Sequence, residues 1–108
     1  MMSKSLIFAT LFVAMLATAG AVQAGGGDAA KGEALSVDCA DCHGADGKGD
    51  DTTPKIAGLE EAYFVEQLQA YKSGARQDPS ETMPMYTEDL SDQDMADLAA
   101  YYASLPAE

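Results

Sequence analysis

Two cysteines and the only histidine of this 108-residue chain stand together in Cys39-Ala40-Asp41-Cys42-His43. In a helical turn, residues i and i+3 lie on one face, so both thiols can reach the same edge of a flat macrocycle. His43, the next residue, is then placed to offer a ring nitrogen to a metal at the centre of that macrocycle. This spacing is the signature of haem attachment through two thioether bonds. The motif predicts one covalent haem c per chain, held by Cys39 and Cys42, with His43 as an iron ligand.

Three other uses of this motif agree less well with the rest of the sequence. A zinc site would need two further cysteine or histidine ligands, and the chain has none to give. A thioredoxin-type redox pair normally belongs to a βαβ pattern, which the sequence does not show. A structural disulfide between cysteines three residues apart would leave His43 without a role.

The second iron ligand must be a different residue type, because His43 is the only histidine. Methionine is the common partner of histidine in electron-transfer haems, where it raises the reduction potential. Beyond residue 24 the methionines are Met83, Met85 and Met95. Met95 fits the apolar face of the last predicted helix and is more simply a core residue. Met83 and Met85 fall in a predicted loop, and Pro84 favours an extended backbone at Met83. Both remain candidates from the residues alone.

Apolar spacing and capping residues predict an all-α domain of three to four short helices and two long loops. A first helix begins after Asp28 and ends near Val37, with Leu35 facing inward. Further helices are predicted over residues 60–73 and 91–105, and the loops over residues 44–59 and 75–89. So short a domain has little apolar surface to bury, and we expect the haem to supply much of its interior.

Residues 1–24 have the pattern of a secretory signal peptide. Lys4 gives a positive start, an apolar run covers residues 6–17, and the small residues Val22 and Ala24 precede the predicted cleavage site. Cleavage after Ala24 leaves residues 25–108 as the mature domain. The alternative is an uncleaved membrane anchor, because residues 5–27 carry no charge and approach the length of a membrane span.

The chain is strongly acidic, with eighteen acids against six basic residues and a net charge of −12. Loss of Lys4 with the signal peptide leaves five cations and a net charge of −13. This balance excludes a nucleic-acid binder that works through a basic footprint. It favours either a redox partner with a basic surface or a salty environment in which acidic surfaces stay solvated.

Three further segments follow the attachment motif along the chain. The first is Pro54-x-Ile56-x-Gly58-Leu59, and the second is Tyr63-x-x-x-Gln67-Leu68-x-x-Tyr71-x-x-Gly74-x-Arg76. The third is Met83-Pro84-x-Tyr86-x-x-x-Leu90-Ser91-Asp92-x-Asp94. With the motif itself, they resemble the small class I cytochromes c of bacteria over residues 28–106. The similarity extends to single-haem carriers and to one half of di-haem members. It implies a cytochrome c fold, with the helices and loops of residues 25–108 wrapped around one haem.

The resemblance also implies roles for particular residues. In this family a proline carbonyl accepts the ring N–H of the haem-ligating histidine, and that proline corresponds to Pro54. The sixth iron ligand is the methionine directly before a proline, seven residues ahead of a Leu-Ser pair, which corresponds to Met83. Some relatives place this ligand closer to the last helix, so Met85 stays a candidate. The first and last helices of the family cross, which would bring Gly32 and Leu35 against Leu98 and against Tyr101 or Tyr102.

The function implied by the resemblance is that of a periplasmic one-electron carrier, not an enzyme. Its iron would cycle between ferrous and ferric forms by outer-sphere transfer between respiratory or photosynthetic partners. The redox partner would bind transiently, and no nucleic acid or membrane insertion of the mature chain is expected. Two alternatives stay open: a haem-bearing subunit of a larger enzyme such as flavocytochrome sulfide dehydrogenase, and a haem ligand sensor.

Overall fold

The computed structural model describes residues 26–108, and the predicted signal peptide lies outside this part of the chain. The described helices are α1 (Ala29–Leu35), α2 (Val37–His43), α3 (Glu61–Ser73), α4 (Thr82–Thr87) and α5 (Asp92–Ser104). Over residues 26–108 there is no β-strand, which confirms the all-α prediction. Within the same range, no helix combines the length and apolar character needed to cross a bilayer.

The predicted first helix, expected to end near Val37, ends at Leu35 as α1, and an additional helix, α2, begins at Val37. Residues 26–108 thus contain five helices and not the predicted three to four. Asp28 caps α1 as predicted, since its carboxylate accepts the backbone N–H groups of Ala30 and Lys31. The helix is interrupted at Ser36, whose hydroxyl donates to the carbonyl of Glu33 at 2.6 Å and competes with the helical pattern. Ser36 itself keeps a right-handed helical backbone, so the chain enters α2 at once. The haem-attachment motif therefore lies on a helix.

Helices α3 and α5 agree with the sequence pattern. The carboxylate of Glu60 accepts backbone N–H groups at the start of α3, and Gly74 ends the helix in a left-handed conformation with φ of 82°. At the start of α5, Ser91 and Asp94 form a reciprocal capping box, as their spacing predicts. These caps fix where the two longest described helices begin.

The core lies where α1 and α3 pack against α5. The buried apolar side chains of the core cluster come from α3 and α5: Phe64, Leu68, Met95, Leu98, Ala99 and Tyr102. The rings of Phe64 and Tyr102 stack with centroids 5.5 Å apart. Met95 is 0% exposed within this cluster, as its predicted core position requires.

The first and last helices cross at Gly32. A Cβ placed on Gly32 would collide with the backbone carbonyl of Asp97 and lie 2.8 Å from the Cβ of Tyr101. The two backbones approach so closely that only glycine leaves room between them. The predicted crossing is therefore present, with Asp97 and Tyr101 nearest to Gly32, while Leu35 packs against the core cluster.

Helix α4 occupies the segment that the sequence predicts as a loop. Pro84 is its third residue, a position in the first turn where the missing N–H has no helical partner to lose. Met83 therefore lies within a helix, and the extended backbone expected from Pro84 is wrong. A helical backbone conformation is disfavoured for a residue that precedes proline, but it is not forbidden.

Candidate haem-binding site

Cys39 and Cys42 lie one turn apart on α2, at the surface of the molecule. Cys39 is half-buried against the core cluster and Cys42 is exposed. Burial raises the pKa of the Cys39 thiol above its ordinary value. The arrangement presents two thiols on one helical face, as thioether attachment requires.

His43 is the last residue of α2 and is buried. Its Nδ1 lies 2.8 Å from the backbone oxygen of Pro54. A carbonyl oxygen can only accept, so Nδ1 carries the proton and donates it, and Nε2 keeps its lone pair. This is the contact that the resemblance implies for Pro54. A neutral imidazole held in this tautomer is the form that binds a metal.

Nε2 of His43 makes no hydrogen bond to any residue in the range 26–108. In the same part of the chain, no fully buried side-chain nitrogen or oxygen lacks a hydrogen-bond partner. Nε2 therefore opens onto space outside the protein core, with its lone pair available. The two thiols are placed to form thioether bonds to a haem, and this nitrogen is placed to bind its iron. All three groups come from the same short helix, α2.

The loop that carries Pro54 is held by its own hydrogen bonds. The backbone N–H of Gly49 donates to the carbonyl of His43 at 2.7 Å, which ties the loop to the end of α2. Asp50 accepts the N–H groups of Thr52 and Thr53, each at 2.8 Å, and these donors lower the pKa of its carboxyl. These hydrogen bonds therefore fix the position of the Pro54 carbonyl that accepts from His43.

Met83 and Met85 occupy opposite sides of α4. Met83 is half-buried and packs against the core cluster, whereas the side chain of Met85 is 73% exposed. Two helical positions correspond to a rotation of about 200°, so only one of the two thioethers can face inward. The structure thus distinguishes Met83 from Met85, which the residues alone left as equal candidates.

Side chains form hydrogen bonds to both the backbone N–H and the backbone carbonyl of Met83. The carboxylate of Asp78 accepts the N–H of Met83 at 2.8 Å and that of Thr82 at 3.0 Å. The hydroxyl of Thr87 donates to the carbonyl of Met83 at 2.9 Å. Hydrogen bonds led by the one from Met83 lower the pKa of Asp78 to about 2, so it is ionised at neutral pH. Sequence reasoning missed both residues. The only signal was an acid ahead of Pro79 and Ser80, a combination typical of turns.

Metal sites of other kinds find no support here. Residues 26–108 contain no cluster of three or more histidine, cysteine or acidic side chains able to hold a metal ion. Cys39, Cys42 and His43 on α2 are therefore the cofactor-binding residues that the fold brings together. They define a helical protein of the c-type haem class.

Comparison with known proteins agrees with this class. The family model described as cytochrome c matches residues 29–106, and the chain belongs to the cytochrome c family. It is a haem c protein, with the cofactor attached through Cys39 and Cys42.

Similar proteins include cytochrome c4 of Pseudomonas aeruginosa, 43% identical over 87% of this chain and 47% of the relative. Cytochrome c-554(548) of Halomonas halodenitrificans is 41% identical over 72% of this chain and 96% of the relative. The crystal structure of reduced recombinant cytochrome c4 from Pseudomonas stutzeri superposes with a TM-score of 0.66 and 37% identity, covering 74% of this chain and 46% of that one. The chain thus spans about half the length of the cytochrome c4 relatives it matches.

Proposed function

We propose that the chain is a periplasmic one-electron carrier whose haem iron is ligated by His43 and Met83. The observation that carries this proposal is the buried His43, whose Nδ1 is committed to Pro54 and whose Nε2 is free. The haem supplies a one-electron cycle between ferrous and ferric iron. His43 supplies one ligand in a fixed tautomer, and Pro54 keeps its ring from turning.

Met83 is the better candidate for the other ligand. It faces inward on α4 and packs against the same core cluster as Cys39, whereas Met85 faces solvent. Met95 is completely buried on α5 and fills the core. With His43 and Met83 both bound, no iron position stays open to a substrate. This ligand set supports the role of a carrier and argues against that of an enzyme or a haem ligand sensor.

Export to the periplasm rests on the predicted signal peptide of residues 1–24 and on the chemistry of the cofactor. Covalent attachment of haem to a Cys-x-x-Cys-His motif takes place after secretion. The two thiols of α2 must be reduced when the haem is attached, because a disulfide between them would block both thioether bonds.

The redox partner is proposed to dock on the exposed surface of α2. Val37 is 67% exposed, and the carboxylates of Asp38 and Asp41 are exposed beside it and beside Cys42. A small apolar contact among carboxylates suits a partner that surrounds an apolar patch with lysine or arginine. Electrons entering here would pass close to the thioether edge of the cofactor.

The ligand assignment is tested by Met83→Ala with Met85→Ala as its matched control. Loss of Met83 is expected to abolish the weak red absorption band of the methionine–ferric iron bond, lower the reduction potential and let carbon monoxide bind the ferrous protein. Met85→Ala is expected to leave all three unchanged, because its side chain is exposed. The reverse result would assign the ligand to Met85, and an unchanged red band in both variants would contradict a ligand from α4.

A further inference from the structure

Helix α4 has no stability of its own to hold a ligand in place. It is six residues long, and isolated helices of this length do not persist in water. Its N-cap residue, Glu81, makes no side-chain capping bond and adopts a left-handed backbone with φ of 58°. The position of Met83 must therefore be set by contacts from outside the helical hydrogen-bond pattern.

Asp78 supplies the missing cap from outside the helix. One oxygen of its carboxylate accepts the N–H groups of both Thr82 and Met83, two donors that have no partner within α4. The carboxylate also accepts the hydroxyl of Ser80 at 2.8 Å. Its acceptor oxygen is thus aimed at the Met83 peptide by the turn that precedes the helix.

Thr87 fixes the other end of the same residue. Its side chain is 0% exposed, and its hydroxyl donates to the carbonyls of Met83 at 2.9 Å and Pro84 at 3.3 Å. A buried hydroxyl without an acceptor is destabilising, because water cannot replace the lost hydrogen bond. The Thr87 hydroxyl is therefore expected to stay bonded to the Met83 carbonyl as long as α4 stays in place. Both polar groups of the Met83 backbone are therefore held by side chains.

We propose that Asp78 and Thr87 are positioning residues that keep the Met83 thioether directed at the iron. The inference rests on the proposed function, in which Met83 is the sixth ligand. Each acts through a hydrogen bond to the Met83 backbone and not through the thioether itself. Loss of either bond weakens the retention of Met83 on the iron without changing the identity of the ligand.

The test uses the ferric holoprotein and imidazole, which competes with methionine for the iron. The variants are Asp78→Ala, which removes the acceptor, Asp78→Asn, which keeps one carbonyl oxygen, and Thr87→Val, which removes only the hydroxyl. Asp28→Ala is the matched control, since Asp28 caps α1 in the same way and touches nothing in α4. Each protein is titrated with imidazole while the red band is recorded, and its thermal midpoint is measured separately.

Asp78→Ala is expected to raise the imidazole affinity about tenfold or more, the factor expected from losing a hydrogen bond to a charged group. Thr87→Val is expected to raise it by a smaller factor, and Asp78→Asn is expected to lie closer to the unmodified protein. Asp28→Ala is expected to lower the thermal midpoint and leave the imidazole affinity within about twofold.

An equal rise in Asp28→Ala and Asp78→Ala would overturn the proposal, because it would show general loss of stability. Unchanged affinity in Asp78→Ala and Thr87→Val would also overturn it. If Asp78→Ala does not fold, Asp78→Asn and Thr87→Val decide the question by the same criterion. Met83→Ala run in parallel separates the two levels: a red band retained in that variant refutes the ligand assignment itself, whereas its loss with unaltered positioning variants refutes only the positioning role.

Discussion

The two proposed iron ligands are held by different means. His43 is buried and its ring is bonded directly to the Pro54 carbonyl, so both the orientation and the tautomer of the ligand are fixed. Met83 is half-buried, and the hydrogen bonds that hold it act on its backbone. Its thioether still rotates about three side-chain bonds. If both residues bind the iron, Met83 is therefore expected to be displaced more readily than His43.

Residues whose chemistry depends on spacing could be predicted from the sequence. Cys39, Cys42 and His43 form a motif in which the distance along the chain sets the geometry. The Pro54 contact came from the family pattern, and the structure contains it. Asp78 could not be found in this way, because its carboxylate reaches backbone atoms five residues ahead. The contact between Asp78 and the Met83 N–H depends on the left-handed backbone conformation of Glu81. No side-chain pattern in the sequence predicts that conformation.

At the level of helices, the crossing of α1 and α5 is the contact most sensitive to one added methyl group. Gly32→Ala would place that group against the Asp97 carbonyl, which belongs to a helix backbone and cannot move aside. We expect the free energy of unfolding of the holoprotein to fall by about 2 kcal/mol or more. Denaturant unfolding followed by circular dichroism measures this loss.

Glu33→Ala is the control for the crossing, because Glu33 is exposed one position further along α1. It is expected to change the free energy of unfolding by no more than about 0.5 kcal/mol. The red absorption band should persist in both variants, since neither touches α4. A Gly32→Ala protein as stable as the unmodified one would show that the two helices can separate without cost.

Helices with strong caps and apolar periodicity were predictable, and the short ones were not. α3 and α5 begin and end where Glu60, Gly74 and Ser91 indicate. α4 was predicted as loop because six residues carry too little periodicity and Pro84 suggested extended backbone. The interruption at Ser36 also escaped prediction, since it depends on a side-chain bond to the Glu33 carbonyl. Local competition of this kind leaves no pattern in a single sequence.

At the scale of the whole molecule, the strong negative charge, −12 for the full chain and −13 without Lys4, should govern encounter with charged redox reagents. Oxidation of the ferrous protein by the cation tris(phenanthroline)cobalt(III) is expected to slow on the order of tenfold as ionic strength rises from about 0.01 M to about 0.15 M. Over that range the screening length falls from about 30 Å to about 8 Å. Stopped-flow measurement of the second-order rate constant tests this expectation.

Two double variants show whether α2 is the contact surface. Asp38→Asn with Asp41→Asn removes two charges beside Cys42, and Glu66→Gln with Asp92→Asn removes two exposed charges from α3 and α5. The first pair should weaken the salt dependence more than the second, because its charges lie next to the proposed docking surface. Equal effects would show that only total charge matters, and the docking proposal would fail.

The carrier role is tested most directly by a redox titration of the unmodified holoprotein, followed in the visible spectrum, with carbon monoxide then added to the reduced form. We expect a single one-electron transition, low-spin iron in both oxidation states and no change on addition of carbon monoxide, since His43 and Met83, if both bind the iron, would leave no position open to carbon monoxide. Rapid binding of carbon monoxide by the ferrous protein, or a high-spin ferric spectrum, would contradict the carrier role and identify a ligand-binding haem protein.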